Sequence, residues 1–207
     1  MSRLTAFFSR IPPYFLWFIL AIPSFGMVYS ALGADSSRVY HQLLHPSGEF
    51  AARFLIISMI ATPLTLLFKG WRGPRWLVKN RRYFGVAAFG YAGLHTLFYF
   101  IDEGSAAAVI SDIPKLYIWT GWIAFLIFIP LAVTSMDYFM RRMGRSWKTL
   151  QRTTYAAALF TLIHWAALHD WGGIGGALVH FLPLALLEAY RVWYWYLRPR
   201  AVKLDVA

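Results

Sequence analysis

The chain of 207 residues is 59% hydrophobic and only 14% charged, whereas a soluble domain carries about 25% charged residues. This composition excludes an ordinary soluble domain and favours an integral membrane protein. The net charge of +11 would indicate a nucleic-acid partner in a soluble protein, but basic cytoplasmic loops explain it here, and no nucleic acid is expected. Because the chain has no cysteine, disulfides, iron–sulfur clusters and thiol chemistry are excluded.

Six apolar segments are predicted to cross the membrane as helices. Each approaches the roughly 20 residues that a helix needs to span a hydrocarbon layer about 30 Å thick. They cover residues 13–31, 50–68, 83–101, 117–134, 149–168 and 174–196. The polar stretch 32–48, which holds His41 and His45, is expected to be a loop, and 169–173 a short turn. The prediction is an all-α, multi-pass bundle that forms one transmembrane domain, 1–207.

The basic residues predict the orientation of this bundle. Both ends of the chain and the loops after the second and fourth spans hold most of the 20 Lys and Arg residues. Since cytoplasmic loops collect Lys and Arg, both termini are expected in the cytoplasm. The expected location is a bacterial inner membrane, with lipid around the bundle.

His95 and His164 lie inside the third and fifth spans, where an ionisable residue is costly and suggests function. Both spans start at the cytoplasmic side, so they run parallel, and both histidines lie roughly 18–20 Å above that boundary at 1.5 Å per residue. Two imidazoles at one depth on separate helices are what a six-coordinate haem requires. Helix packing is the alternative, and residue types and depth alone leave both interpretations open. Small residues of the third span are expected to leave room for a flat macrocycle: Gly85, Ala88, Gly90, Ala92 and Gly93.

Further residues are candidate cofactor contacts, and each also has an alternative explanation that involves no cofactor. Arg53, on the outer side of the second span, suits a haem propionate, or it snorkels to the interface. His180 and His169 lie on the outer side and suit a propionate or a quinone carbonyl, or they serve packing and a solvated turn. Gln151 and Arg152, beside the basic loop 141–148, suit a flavin phosphate or a quinol head group, and positive-inside charge is the alternative.

Several motifs follow one another in a familiar order along residues 32–196: Leu32-Gly33-Ala34-Asp35, His45-Pro46-Ser47-Gly48-Glu49, Ala61-Thr62-Pro63-Leu64, Arg81-Arg82-x-x-Gly85, Gly93-Leu94-His95, Arg141-Arg142-Met143-Gly144-Arg145-x-Trp147-x-x-Leu150 and Ile163-His164-Trp165. In these motifs the chain resembles the ferric-reductase-like transmembrane family. Within that family it is similar to the haem-binding membrane subunits of periplasmic methionine sulfoxide reductase systems.

The resemblance implies a six-helix bundle with haem b between the third and fifth spans, ligated by His95 and His164. It also implies electron flow from a quinol or a flavin to a periplasmic partner, a molybdenum enzyme that reduces oxidised methionine. One position departs from the family pattern, because Gln151 stands where a histidine can ligate an inner haem. Arg81 stands where a two-haem relative places the partner ligand. No inner haem is therefore expected, and a quinol within the bilayer becomes the favoured donor over a cytoplasmic flavoenzyme, while FMN and quinone both stay candidate cofactors.

The favoured function is thus an electron-transfer subunit rather than a stand-alone catalyst. A second hypothesis is a self-contained oxidoreductase, such as a ferric reductase or a quinone-linked superoxide oxidase. A third is a haem-free scaffold of the same fold. The sequence distinguishes neither the donor nor the acceptor.

Overall fold

The computed structural model describes residues 13–199, and within them the chain is helical with no strand. In chain order the helices are α1 (Pro13–Leu32), α2 (Arg38–Leu67), α3 (Arg72–Glu103), α4 (Ala106–Asp112), α5 (Leu116–Val133), α6 (Asp137–Met143), α7 (Arg145–Gln151), α8 (Thr154–Ala166), α9 (Leu168–Trp171) and α10 (Ile174–Val192), followed by a π-helical turn, Trp193–Leu197. Four of them, α1, α2, α3 and α5, are long and apolar enough to cross a membrane. The predicted all-α membrane fold is confirmed, and the count of six spans stays a prediction.

Two helices extend well beyond the spans predicted from hydropathy. Helix α2 begins at Arg38, so His41 and His45 lie on a helix, and the prediction of a loop there is wrong. Helix α3 begins at Arg72 and takes in most of the basic stretch before the third span. Hydropathy predicts only the apolar part of a helix. Because Lys and Arg are good helix formers, the helix itself extends beyond the apolar residues into the polar ones. Pro74 lies in the first turn of α3, where a proline is tolerated.

The fifth predicted span, 149–168, is interrupted in the structure. Helix α7 ends at Gln151 and α8 runs for 13 residues, which covers about 20 Å at 1.5 Å per residue. Both α8 and α10 expose large apolar side chains, such as Leu159 at 55% and Val179 at 73%. A surface of this kind is typical of contact with lipid or a partner rather than with water. It supports the prediction that these two helices also lie in the membrane.

The bundle is built from two closely packed helix pairs, α2 with α3 and α5 with α8, and α10 contacts both α2 and α8. Helix α1 is joined to this core by the hydroxyl of Tyr91 from α3. That hydroxyl accepts from the Ser24 backbone N–H at 2.9 Å and donates to the Leu20 carbonyl at 2.9 Å. In a regular helix the Ser24 N–H would donate directly to the Leu20 carbonyl, and here the Tyr91 hydroxyl lies between them, next to Pro23. The candidate site lies where the two main pairs face each other.

Candidate functional site

His95 of α3 and His164 of α8 meet in the middle of the bundle. Their ring centroids are 6.0 Å apart and their planes are inclined at 85°. A bond from a metal to an imidazole nitrogen is about 2 Å, and the ring centre lies about 1 Å behind that nitrogen. Two axial imidazoles on one metal therefore have centroids about 6 Å apart, as these two have. The structure brings together the two residues that the sequence singled out.

Each imidazole is held by its Nδ1 atom on a backbone carbonyl of a neighbouring helix. His95 Nδ1 lies 2.9 Å from the Leu44 carbonyl oxygen of α2, and His164 Nδ1 bonds the Tyr117 carbonyl of α5. A carbonyl oxygen only accepts, so both Nδ1 atoms carry the proton. Both Nε2 atoms are then unprotonated, which is the form that binds a metal.

Two cavities have both histidines in their walls. A smaller one of about 100 Å³ is lined mostly by apolar side chains, among them Ala92, Trp122 and Phe125. A larger one of about 670 Å³ lies toward the end of the bundle that the basic loops predict to face outward (the outer end), and it is lined by several charged groups, including Asp102, Glu103, Asp112 and Lys115. The site thus has an apolar side and a charged side. The apolar side suits the faces of a flat macrocycle, and on the charged side Lys115 is the one Lys or Arg among the described lining residues.

Lys115 supplies an ammonium group to the wall of the outer cavity. Its Nζ atom lies 2.7 Å from an Asp112 carboxylate oxygen. The hydrogen bond to Asp112 raises the pKa of Lys115, so the amine stays charged at the outer mouth. Besides the ring pair, three histidines line this cavity, His41, His45 and His169, and His41 bonds Asp102 at 2.8 Å.

The small residues that leave space beside the two histidine rings are not the ones expected on α3. Among the five expected residues, only Ala92 lines a cavity beside the histidines, while Gly90 and Gly93 have no neighbour within 4 Å of a would-be Cβ. The room is made instead by Gly48 of α2 and Gly121 of α5. A Cβ at these positions would lie 3.1 Å from His95 Nδ1 and 2.7 Å from His164 Nδ1. Sequence reasoning missed this role, although both glycines follow a hydroxyl residue in the same way.

Arg53 and His180 lie together at the outer end, and neither lines the two cavities beside the histidine pair. Arg53 Nε donates to His180 Nε2 at 3.2 Å, and its Nη2 bonds Glu49. The His180 ring lies 4.7 Å from the ring of Trp165, which follows the ligand candidate His164 in sequence. These two candidates therefore occupy a second layer behind Trp165.

Gln151 and Arg152 line a third cavity, of about 540 Å³, at the opposite, inner end of the bundle. Gln151 Nε2 donates to the Leu131 carbonyl and to Thr134 Oγ1, both at 3.3 Å. Among the described residues, the walls of this cavity carry six Lys or Arg side chains and no carboxylate: Lys79, Arg81, Arg82, Lys148, Arg152 and Arg191. The arrangement suits an anionic or electron-rich head group.

Within residues 13–199, no group of three or more His, Cys, Asp or Glu side chains could hold a metal ion. The two imidazoles supply only two bonds. A macrocycle that brings its own four nitrogen ligands would complete a six-coordinate iron between them.

Comparison with known proteins agrees with this geometry. Residues 47–162 match the family model described as "Ferric reductase like transmembrane component". The chain is 35% identical over 168 residues to a Xanthomonas campestris protein named "Protein-methionine-sulfoxide reductase heme-binding subunit MsrQ", covering 79% of this chain and 72% of that protein. Proteins of the same name from Ralstonia nicotianae and Rhizobium meliloti are 30% and 34% identical, covering 90% and 86% of this chain and 90% and 80% of those proteins. No solved structure gives a significant match. The chain therefore belongs to the ferric-reductase-like transmembrane family, in the group of MsrQ-type subunits.

Proposed function

We propose that this chain is a haem b-binding electron-transfer subunit, in which His95 and His164 would hold the iron of one haem. The observation that carries the proposal is the 6.0 Å separation of two imidazoles whose Nδ1 atoms are both occupied by carbonyls. The names of the relatives, which describe heme-binding subunits, support it. Bound haem would supply a one-electron iron couple at this position.

The protein's own residues hold and shield that couple. The two backbone carbonyls keep both Nε2 atoms free of protons, and the apolar walls of the smaller cavity exclude water. Lys115 offers an ammonium group on the charged side, where acidic substituents would lie. Arg53 and His180 would act on the same edge only from behind Trp165.

The electron donor is proposed to be a quinol or a flavin bound at the inner cavity, where Gln151 and Arg152 lie. Phe128 lines both this cavity and the apolar cavity beside the histidines. The two sites thus share a wall, and an electron would cross a short distance between them. Six cationic side chains would stabilise a flavin phosphate or a reduced quinone.

The acceptor is proposed to be a methionine sulfoxide reductase, a molybdenum enzyme that meets the outer face of the chain. This follows from the names of the relatives and from the two ligand candidates lying toward the charged outer cavity. The chain would then lie in the bacterial inner membrane with both termini in the cytoplasm.

An absorption spectrum with a haem-to-protein ratio tests the proposal. We expect about one haem per wild-type chain, and loss of the low-spin spectrum in His95→Ala and in His164→Ala. His41→Ala is the matched control, because the His41 side chain is 72% exposed and bonds Asp102, and its spectrum should be that of the wild type. A colourless wild-type protein from haem-replete cells would overturn the proposal.

The donor is tested separately by adding donors to the purified protein in vesicles. A reduced quinone analogue should develop the haem α-band, and Arg152→Gln should slow that reaction without changing the spectrum of the oxidised protein. Reduced FMN provides the parallel arm. Failure of both donors to reduce the haem would contradict the assignment of the inner cavity.

A further inference from the structure

The ring of His95 lies over a notch in helix α2 made by a buried hydroxyl residue and a glycine. Gly48 follows Leu44 by four residues, and in a helix the side chain at that position would lean back over the Leu44 carbonyl. His95 Nδ1 lies 2.9 Å from this carbonyl oxygen, and a Cβ added to Gly48 would lie 3.1 Å from the same nitrogen. Ser47, fully buried, turns its hydroxyl to the Leu43 carbonyl of its own helix at 2.7 Å.

The same arrangement recurs on helix α5 beneath the ring of His164. Gly121 follows Tyr117 by four residues, and His164 Nδ1 bonds the Tyr117 carbonyl over it. A Cβ on Gly121 would lie 2.7 Å from that nitrogen. Thr120, also fully buried, bonds the Leu116 carbonyl of its own helix at 2.7 Å. Two helices that are unrelated in sequence therefore present a backbone carbonyl to an imidazole in the same way, each through a glycine four residues further along.

We propose that the pairs Ser47-Gly48 and Thr120-Gly121 are a duplicated positioning device for the two axial histidines. This inference rests on the proposed haem function. Each glycine exposes a helical carbonyl that is already bonded within its helix, and the imidazole uses the carbonyl's second lone pair. The hydroxyl beside it bonds its own helix and also reaches the same carbonyl, at 3.0 Å from Ser47 to Leu44 and 3.2 Å from Thr120 to Tyr117, so hydroxyl and imidazole share that acceptor. The device fixes the tautomer, the tilt of each ring and the basicity of each ligand.

The two glycines are predicted to differ in how strictly they are required. At Gly121 the added Cβ would lie nearer than non-bonded atoms ever approach, so His164 would have to move. At Gly48 the contact is tight but could be relieved by a shift of a few tenths of an ångström. Either shift weakens the Nδ1–H bond, lowers the basicity of the ligand and favours ferrous over ferric iron.

The experiment compares alanine variants of four glycines in the full-length protein with haem bound. Gly48→Ala should retain haem with a shift of about tenfold toward the ferrous form, which is a rise of about 59 mV in the one-electron midpoint potential. Gly121→Ala should lose the low-spin spectrum or the haem. Gly90→Ala and Gly93→Ala on α3 are the controls, since no atom of the described residues outside the local helix lies within 4 Å of the added methyl, and both should match the wild-type spectrum and midpoint potential.

Redox titration, the absorption spectrum and thermal unfolding are measured on each variant. If Gly121→Ala fails to accumulate, Gly48→Ala decides, because its neighbour needs to move only slightly. A wild-type midpoint and spectrum in Gly48→Ala would overturn the positioning role while leaving the haem function intact. A wild-type protein without haem would instead overturn the proposed function itself.

Discussion

At the scale of single residues, His95 and His164 differ from His180 in whether the second ring nitrogen has a hydrogen-bond partner. In His95 and His164 one nitrogen bonds a carbonyl and the other is left for a ligand. In His180 both nitrogens are occupied, because Nδ1 bonds the Gly176 carbonyl at 2.8 Å and Nε2 accepts from Arg53. His180 is therefore suited to ordering Arg53 and Trp165, and not to binding iron.

Two tyrosines of α3 with buried hydroxyls provide a matched pair for a stability prediction. Tyr91 makes two hydrogen bonds to α1, whereas the hydroxyl of Tyr99 has no hydrogen-bond partner among the described residues. Tyr91→Phe should lower the free energy of unfolding by about 1–3 kcal/mol, since it leaves backbone groups of α1 unsatisfied. Tyr99→Phe should leave the haem-free protein unchanged or slightly more stable.

Thermal unfolding of the haem-free protein in detergent checks this pair. Both variants lose one hydroxyl and keep the aromatic ring, so the contribution of ring packing to the free energy of unfolding is the same in the two. Equal losses in the two variants would show that the link between Tyr91 and α1 contributes nothing to stability.

At the scale of elements, the inner end of the bundle depends on the junction between α6 and α7. Gly144 ends one helix and begins the next with φ 52° and ψ −118°, a conformation that costs an L-residue about 1–3 kcal/mol. Beyond the junction, Trp147 Nε1 donates to the Thr134 carbonyl at 2.9 Å, which ties α7 to the end of α5. Asp137, at the start of α6, bonds Arg82 of α3, and this bond holds the pKa of Asp137 below its usual range.

Gly144→Ala is predicted to loosen this junction without disturbing the histidine pair. Backbone hydrogen exchange should rise across residues 137–151, because the strained turn is lost and Trp147 leaves its partner. Gly73→Ala, a helical position with nothing within 4 Å of the new methyl, is the control. Unchanged exchange in Gly144→Ala would contradict the assigned strain.

The junction at Asp137 also predicts a dependence on pH. The folded state lowers the pKa of Asp137, so the ion pair stabilises α6 above the ordinary carboxyl pKa and is lost as pH falls through the lowered value. Protection of the α6 amides, measured relative to their intrinsic exchange rate at each pH, should therefore fall on acidification below about pH 4. Asp137→Asn should show the faster exchange already at neutral pH, and a variant that still responds to acid in this segment would point to another group.

At the scale of the whole molecule, the open question is how many times the chain crosses the membrane. The chain has no cysteine, so a single introduced cysteine can be labelled without background. Ala107→Cys and Asp170→Cys should react with an impermeant maleimide from the outer side, and Ser146→Cys only after permeabilisation. All three positions are exposed. Labelling of Asp170→Cys only from the inside would show that α8 does not cross and that the six-span prediction is wrong.

Much of this molecule could be predicted from residue types alone. An apolar composition with basic loops specifies a helical membrane bundle, because unpaired backbone groups are too costly in lipid. The pairing of His95 with His164 could be predicted because two ionisable groups at one depth need a reason to be buried. The extents of α2 and α3 could not be predicted in this way, since hydropathy does not report where a polar helix ends.

Tertiary structure alone decided which atoms hold the two rings. The sequence shows a Ser-Gly and a Thr-Gly pair among many small residues, and nothing in it says which carbonyl an imidazole from another helix will reach. That depends on how α2 packs against α3 and α5 against α8, which brings Gly48 and Gly121 under the rings while Gly90 and Gly93 remain without neighbours. Residue chemistry indicates the candidate ligands because it can be read from the local sequence, whereas the groups that support them depend on contacts between helices, which the local sequence does not determine.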